Sequence, residues 1–184
     1  MPDCYVTLVK EYLENENYVV STEIRYEVKK DKNGKEKTSW GDIDIVAVKV
    51  KDDQSIELVV GEVKSIDATE SLIAKIYEKK FDNPYLNEKG EKMFGVSLWR
   101  ERKKYLYCWD CSSSKTRECA KEKGIEIKSF KEIVNSMIGF LQKSPEKRYL
   151  YNKDNPNLML LQFLKDKHLI KLPNSDKIIA EKSE

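Results

Sequence analysis

The sequence is poor in histidine, in long apolar runs and in net charge. Its single histidine, His168, leaves no Ser-His-Asp or Cys-His pair with supporting context, so nucleophilic hydrolase chemistry has little footing. No apolar run approaches the roughly 20 residues that a membrane span needs. The opening Met1-Pro2-Asp3-Cys4 lacks the basic and apolar regions of a signal peptide. The expectation is a cytoplasmic protein with no membrane partner. Lys and Arg number 34 against 32 Asp and Glu, a net charge of +2, so composition alone does not announce a nucleic-acid binder. Four unevenly spaced cysteines do not make a secreted disulfide framework, which again points to a reducing compartment. Internal repeats and low-complexity tracts are absent. What is abundant is charge of both signs, 36% of residues, rich in Lys and Glu as on a thermophile's surface. Hydrophobic content of 40% over 184 residues is enough for one core, hence one domain with an appendage.

The chain is organised around Trp40 to Lys64. It reads W-G-D-I-D-I-V-A-V-K-V, then K-D-D-Q-S, then I-E-L-V-V-G-E-V-K. Two β-branched runs joined by so short a polar turn are antiparallel neighbours. Strand alternation places Asp42 and Asp44 on one face and Ile43 and Ile45 on the other. Glu62 and Lys64 likewise share a face, with Val63 opposite. Leu58, Val59 and Val60 form the continuous apolar run of a strand covered on both sides. Charged groups at the end of such a strand lose solvation, at about several kcal/mol per ion. A salt bridge offsets part of that cost. A divalent cation shared by Asp44 and Glu62 offsets it better, because hard cations take oxygen ligands. Lys64 would then stand beside the attacking water or a phosphate, as metal-assisted phosphodiester hydrolysis requires.

The order G-D-I-D-I-V-A, hairpin, G-E-V-K resembles the core of the PD-(D/E)XK nuclease superfamily, with the archaeal Holliday-junction resolvase and Mrr-type restriction branch as the nearest likeness. By element order the resemblance runs from about Tyr5 to Leu141. It implies an α/β fold, a restriction-endonuclease-like core with a central mixed β-sheet flanked by helices. It implies a Mg²⁺-dependent endonuclease acting on DNA, with Mn²⁺ as a substitute ion and a homodimer as a common working form. Asp44 matches the family Asp, Glu62 the acid and Lys64 the lysine; the Val63 carbonyl would be a further metal ligand. Asp42 is additional. Glu23, on the first strand, is a candidate third carboxylate, or else pairs with a base across the sheet. The family's acid on the first helix falls here on Val6. Glu11 and Glu14 are the available substitutes, although both read more simply as solvated helix acids. Two alternatives stay open: a catalytically inactive nuclease-fold module that binds DNA or a partner protein, and cleavage of RNA.

The remaining elements follow from periodicity. Asp3 to Glu16 reads as an amphipathic helix and Tyr18 to Val28 as a strand. Lys29 to Lys37 is a charged turn around Asn33-Gly34. Ser65 to Phe81 reads as a helix capped by Asp67 or Thr69, with Lys75 and Lys79 on one face as phosphate contacts or plain surface lysines. Asp82 to Lys92 reads as a loop, and Met93 to Trp99 as a strand or short helix. Arg100 and Arg102, beside Trp99 and Tyr105, either hold nucleic acid or form a snorkelling rim. Lys104 to Asp110, Ser113 to Lys123, Ile125 to Lys128 and Phe130 to Leu141 read as strand, helix, strand and helix. Ser112 to Ser114 offer a phosphate site or an ordinary cap. The nuclease-like domain is expected over 1–144. An extension over 145–184, a helix from Asn157 to Lys167 and then a small hairpin, is expected to pack on it. Cys4, Cys108, Cys111 and Cys119 match the order of cysteines in cluster-bearing nucleases of the superfamily, which would imply zinc or iron–sulfur. Their places on a strand and a helix suit small apolar side chains better.

Overall fold

The computed structural model describes residues 3–32, 35–143 and Asn157. Asn33 and Gly34, the centre of the turn expected over Lys29 to Lys37, lie outside the described residues, as do His168 and, Asn157 apart, the expected extension over 145–184; the flanking residues, Lys29 to Lys32 and Lys35 to Lys37, are strand rather than turn. The chain divides into two compact units, Met1–Ile133 and Val134–Glu184. The sheet belongs to the first.

Helix α1 (Cys4–Asn15) is followed by β1 (Val19–Lys32), β2 (Lys35–Val50) and β3 (Ile56–Val63). Then come α2 (Glu70–Ile76), a π-helical turn (Tyr77–Phe81), α3 (Pro84–Phe94) and α4 (Val96–Arg100). The chain closes with β4 (Lys103–Cys108), α5 (Ser114–Glu122), β5 (Ile125–Ser129) and α6 (Phe130–Lys143). The strands form one sheet in the order β1-β2-β3-β4-β5. β1, β2 and β3 pair antiparallel, whereas β4 joins β3 in parallel and β5 joins β4 in parallel. Each parallel neighbour is reached through helices, as a crossover demands. The result is the expected α/β fold with a mixed sheet, consistent with a restriction-endonuclease-like core.

β3 is buried from Leu58 to Val63, so the sheet is covered on both faces there. Val46, Leu58, Val60, Leu106 and Cys108 join Ile73, Ile76, Phe81 and Ala120 in the main core. Ile45, Ala47 and Val59 alternate with them, are equally buried, and lie outside that cluster. They occupy the other face, where α1 crosses β1, β2 and β3. Among the described residues no helix is long and apolar enough to cross a membrane.

Three further expectations from the sequence need correction. Alternation does not continue through Asp44: Ile43 joins Val46 and Val60 in the main core, while Ile45 does not. The break coincides with Glu23, opposite Asp44 in register, whose φ of 56° is unusual for a non-glycine residue. The helix expected within Ser65 to Phe81 begins only at Glu70; Thr69, one of its two expected caps, accepts a hydrogen bond from the Leu72 N–H. The residues before it run beside β4 instead, with Lys64 N–H donating to Tyr107 O at 2.8 Å and Trp109 N–H to Ile66 O at 3.1 Å. The loop expected over Asp82 to Lys92 is largely helix α3. Asn83 and Pro84, read as loop residues, are its cap and first residue: the Asn83 side chain accepts from the Tyr85 N–H.

Gly90 sits inside α3 because the Trp99 indole lies against it. A Cβ there would meet the ring at 2.2 Å. Trp99 is buried and donates from Nε1 to Asn87 Oδ1 at 3.0 Å. An alanine at position 90 gains about 1 kcal/mol in helix propensity. Displacing a buried indole costs about 1–3 kcal/mol. Gly90→Ala is therefore expected to lower the melting temperature, and an unchanged or raised value in a thermal melt would show that the ring moves freely.

Candidate active site

The ladder between β2 and β3 ends at Ile45 opposite Gly61. One residue on, a side chain takes over from the backbone. The Asp44 carboxylate accepts the Val63 N–H at Oδ2, 2.8 Å away. β2 is thus joined to the end of β3 through an acid rather than a carbonyl. Lys64, just past the end of β3, points its ammonium back to the same place, 3.3 Å from Asp44 Oδ2 and 2.8 Å from Glu62 Oε2. The three residues named by the hairpin pattern therefore converge on one point.

A fourth group, not anticipated, completes the cluster. Lys80, from the π-helical turn, sets Nζ 2.6 Å from Asp42 Oδ1, 2.5 Å from the Asp42 carbonyl and 3.6 Å from Glu62 Oε1. The charges alternate along the row Asp42, Lys80, Glu62, Lys64, Asp44. Three carboxylates face two ammonium groups, which leaves one negative charge over. The sequence did carry a signal for Lys80: it lies four residues after Ile76 and seven after Ile73, on the side of the helix that faces the core. A lysine at that position is out of place unless it meets an acid.

Glu62 is 0% exposed, and neither of its oxygens has an aligned hydrogen-bond donor, although Lys64 stands 2.8 Å away. Burial, and after it the Asp44 charge, push its carboxyl above the ordinary value, with Lys64 and Lys80 opposing. Burial works against the charged form of Lys64, but Glu62 and Asp44 outweigh it and hold that ammonium above its usual range. Lys80 is raised in the same way, by Glu62 and Asp42 against burial. Asp42 is lowered, chiefly by its hydrogen bond from Lys80. The cluster is not sealed: the Lys64 side chain is 33% exposed and that of Asp44 18%.

This donor set suits one kind of ion. Among the described residues no three His, Cys, Asp or Glu side chains form a metal cage. Mg²⁺ does not need one, since it keeps several waters and is held by one or two carboxylates. The Glu62 carboxylate, buried and without an aligned hydrogen bond, stands beside Asp44 and fits that requirement. Zinc, with its four nitrogen or sulfur ligands, is not served here.

The other candidates are placed as follows. Glu23 is exposed, and among the described residues it makes no ion pair with the cluster. Val63 pairs with Tyr107 in the parallel ladder. Lys75 and Lys79 are exposed on the helical segment, and exposed Arg100 lies 3.8 Å from Glu91. Arg102 is not a surface contact. Its guanidinium stacks 4.2 Å from the Trp99 ring and donates to the carbonyls of Trp99 and Phe81 and to Asn87 Oδ1. Burial brings it down to about 10, still cationic at neutral pH. Glu14 pairs with Lys10 at the surface, but Glu11 is buried at 2% exposure, so it is not the solvated acid that its sequence context suggests. Ser113 caps α5 by accepting from the Thr116 N–H. Cys108 and Cys111 belong to the core, Cys119 packs against it, and Cys4 is exposed at the start of α1. Burial pushes the Cys108 thiol up to about 12.

No protein-family model and no curated protein matches the chain. Two solved structures are similar to it. One is a protein of unknown function, AF1548, with 15% identity, a TM-score of 0.45, and coverage of 73% of this chain and 66% of that one. The other is EndoMS in its apo form, with 13% identity, a TM-score of 0.35, and coverage of 68% and 45%. The chain thus spans about two thirds of the first and under half of the second. At these scores neither likeness bears on chemistry or partner.

The raised carboxyl of Glu62 has a consequence for stability. In the unfolded chain it titrates near its ordinary value of 4.5; in the folded chain it holds its proton to higher pH. The folded state then binds more protons in that window, so stability falls as pH rises through it. Glu62→Gln should be more stable than wild type above the window and show no such gain below pH 4.5. Denaturant melts across pH check this; a difference independent of pH would contradict the assignment.

Proposed function

We propose that this chain is a Mg²⁺-dependent endonuclease of the PD-(D/E)XK kind that hydrolyses phosphodiester bonds in DNA. The observation that supports this most is the convergence of Asp44, Glu62 and Lys64 from the ends of two adjacent strands, with Lys64 Nζ in reach of both carboxylates. Asp44, Glu62 and the Val63 carbonyl would hold the ion. When bound, Mg²⁺ polarises the phosphate and makes water a stronger nucleophile near neutral pH. Lys64 orients that water for attack on phosphorus opposite the leaving oxygen. It also stabilises the negative charge that builds on the phosphate oxygens. Asp44, fixed by the Val63 N–H, keeps Lys64 in place for both tasks. Exposed Lys75, Lys79 and Arg100 remain available to the DNA backbone, where contacts position rather than specify.

One observation favours a different reading, an inactive nuclease fold that binds DNA or a partner protein. Glu62 already has an ammonium group near each of its oxygens, an arrangement that offsets part of the buried charge without any ion. Activity separates the two. Wild type should nick supercoiled plasmid in Mg²⁺ and not in EDTA. Glu62→Ala and Asp44→Asn should abolish nicking, and Lys64→Ala should slow it about 100-fold or more, all with unchanged circular dichroism. Nicking by Glu62→Ala at the wild-type rate would exclude the assignment.

A further inference from the structure

Lys80 stands on a segment whose main chain is held on both sides. The hydroxyl of Tyr26 donates to the carbonyl of Lys79 at 3.4 Å, and Asn83 Nδ2 donates to the same oxygen at 3.2 Å. On the other side, Arg102 donates to the carbonyl of Phe81 at 2.9 Å. Both chain neighbours of Lys80 are therefore pinned, in a π-helical turn of the kind often found at functional sites. Between them the ammonium meets three oxygens from two strands: the carbonyl and Oδ1 of Asp42, and Oε1 of Glu62. Hard oxygens gathered in this way are what a divalent ion takes. Lys64 approaches Glu62 from its other oxygen, Oε2. The buried carboxylate of Glu62 is thus flanked by two cation positions, one at each oxygen.

We propose that Lys80 is a resident cation filling the second of these positions, so that the site takes a single divalent ion, on the Asp44 side of Glu62. The inference rests on the metal-dependent reading given above and goes beyond it by assigning ion number and the residue that sets it. Two-ion hydrolases keep their metals about 3.5–4 Å apart around shared oxygens. Here the Asp42 side is closed to a second ion by an ammonium that also bonds a main-chain carbonyl. The Asp44 side is closed only by Lys64, which is more exposed and, among the described residues, meets two carboxylates, at 2.8 and 3.3 Å, and no main-chain carbonyl. Lys64 needs only to yield Glu62 Oε2 to an entering ion, and its contact with Asp44 keeps it beside the site; Lys80 bridges Asp42 and Glu62 and keeps a positive charge on the other side.

The test counts ions directly. Mn²⁺ is titrated into the full chain and followed by calorimetry and by the electron paramagnetic resonance signal of free Mn²⁺. Wild type and Lys80→Arg should bind one ion per chain, and Lys80→Met two. Lys80→Gln, which keeps a donor for the Asp42 carbonyl without the charge, serves if Lys80→Met fails to fold by circular dichroism, and should also bind two. Two ions on wild type, or one ion of unchanged affinity on the charge-free variant, overturns the assignment of Lys80 while leaving the nuclease reading intact. Binding to the charge-free variant alone upholds Lys80 as the occupant and sinks the nuclease reading. No binding to any folded variant sinks both.

Discussion

Glu62 carries its carboxylate at full burial, at the end of a strand covered on both faces. Removing such a charge from water costs about several kcal/mol, and the neighbouring Asp44 adds repulsion. Two ammonium groups answer it, one near each oxygen, and each is tied in turn to an outer aspartate. The compensation is incomplete, since neither oxygen receives an aligned hydrogen bond. A fold that only needed stability would place an aliphatic residue here, because apolar replacements of buried ion pairs are often neutral or stabilising. Buried charge held at a cost occurs both at functional sites and in structural ion-pair networks.

Three local departures from regular structure serve that point. The β2–β3 ladder stops one residue early, which frees Asp44 to bind the Val63 N–H with its side chain. Opposite it, Glu23 adopts a positive φ, and strand alternation is interrupted there, so that Ile43 and not Ile45 enters the main core. The π-helical turn brings both Lys80 and Phe81 inward, which a regular helical turn does less readily for consecutive residues.

The crossover between β3 and β4 gives this arrangement its rigidity. Trp99 rests on Gly90, Arg102 stacks on Trp99, and the same guanidinium reaches the carbonyl at the end of the π turn. A residue that reads as a nucleic-acid contact is instead a brace between α3, α4 and the segment carrying Lys80. The cysteines contribute apolar bulk to the same core, with Cys108 and Cys111 packed among its aliphatic and aromatic members.

The hairpin over Trp40 to Lys64, its antiparallel pairing and the grouping of Asp44, Glu62 and Lys64 are legible from order alone, because strand period and a five-residue turn act over short range. The mixed sheet is legible for the same reason, from strands separated by helical spacing. Helix α3 is not, since Asn83-Pro84 and Gly90 read as breakers until Trp99 is known to need the space that glycine leaves. Arg102 reads either as a nucleic-acid contact or as a rim on the core, and Glu11 as a solvated acid, because the sequence does not say which face of each segment meets the rest of the fold. Lys80 is the sharpest case: helical spacing puts it on the inner side, but only the packing of the crossover on β3 brings it to Glu62 from eighteen residues away. Periodicity reports what a residue's own element does; which charges meet across elements depends on how those elements pack, and there burial, not sequence distance, selects the partners.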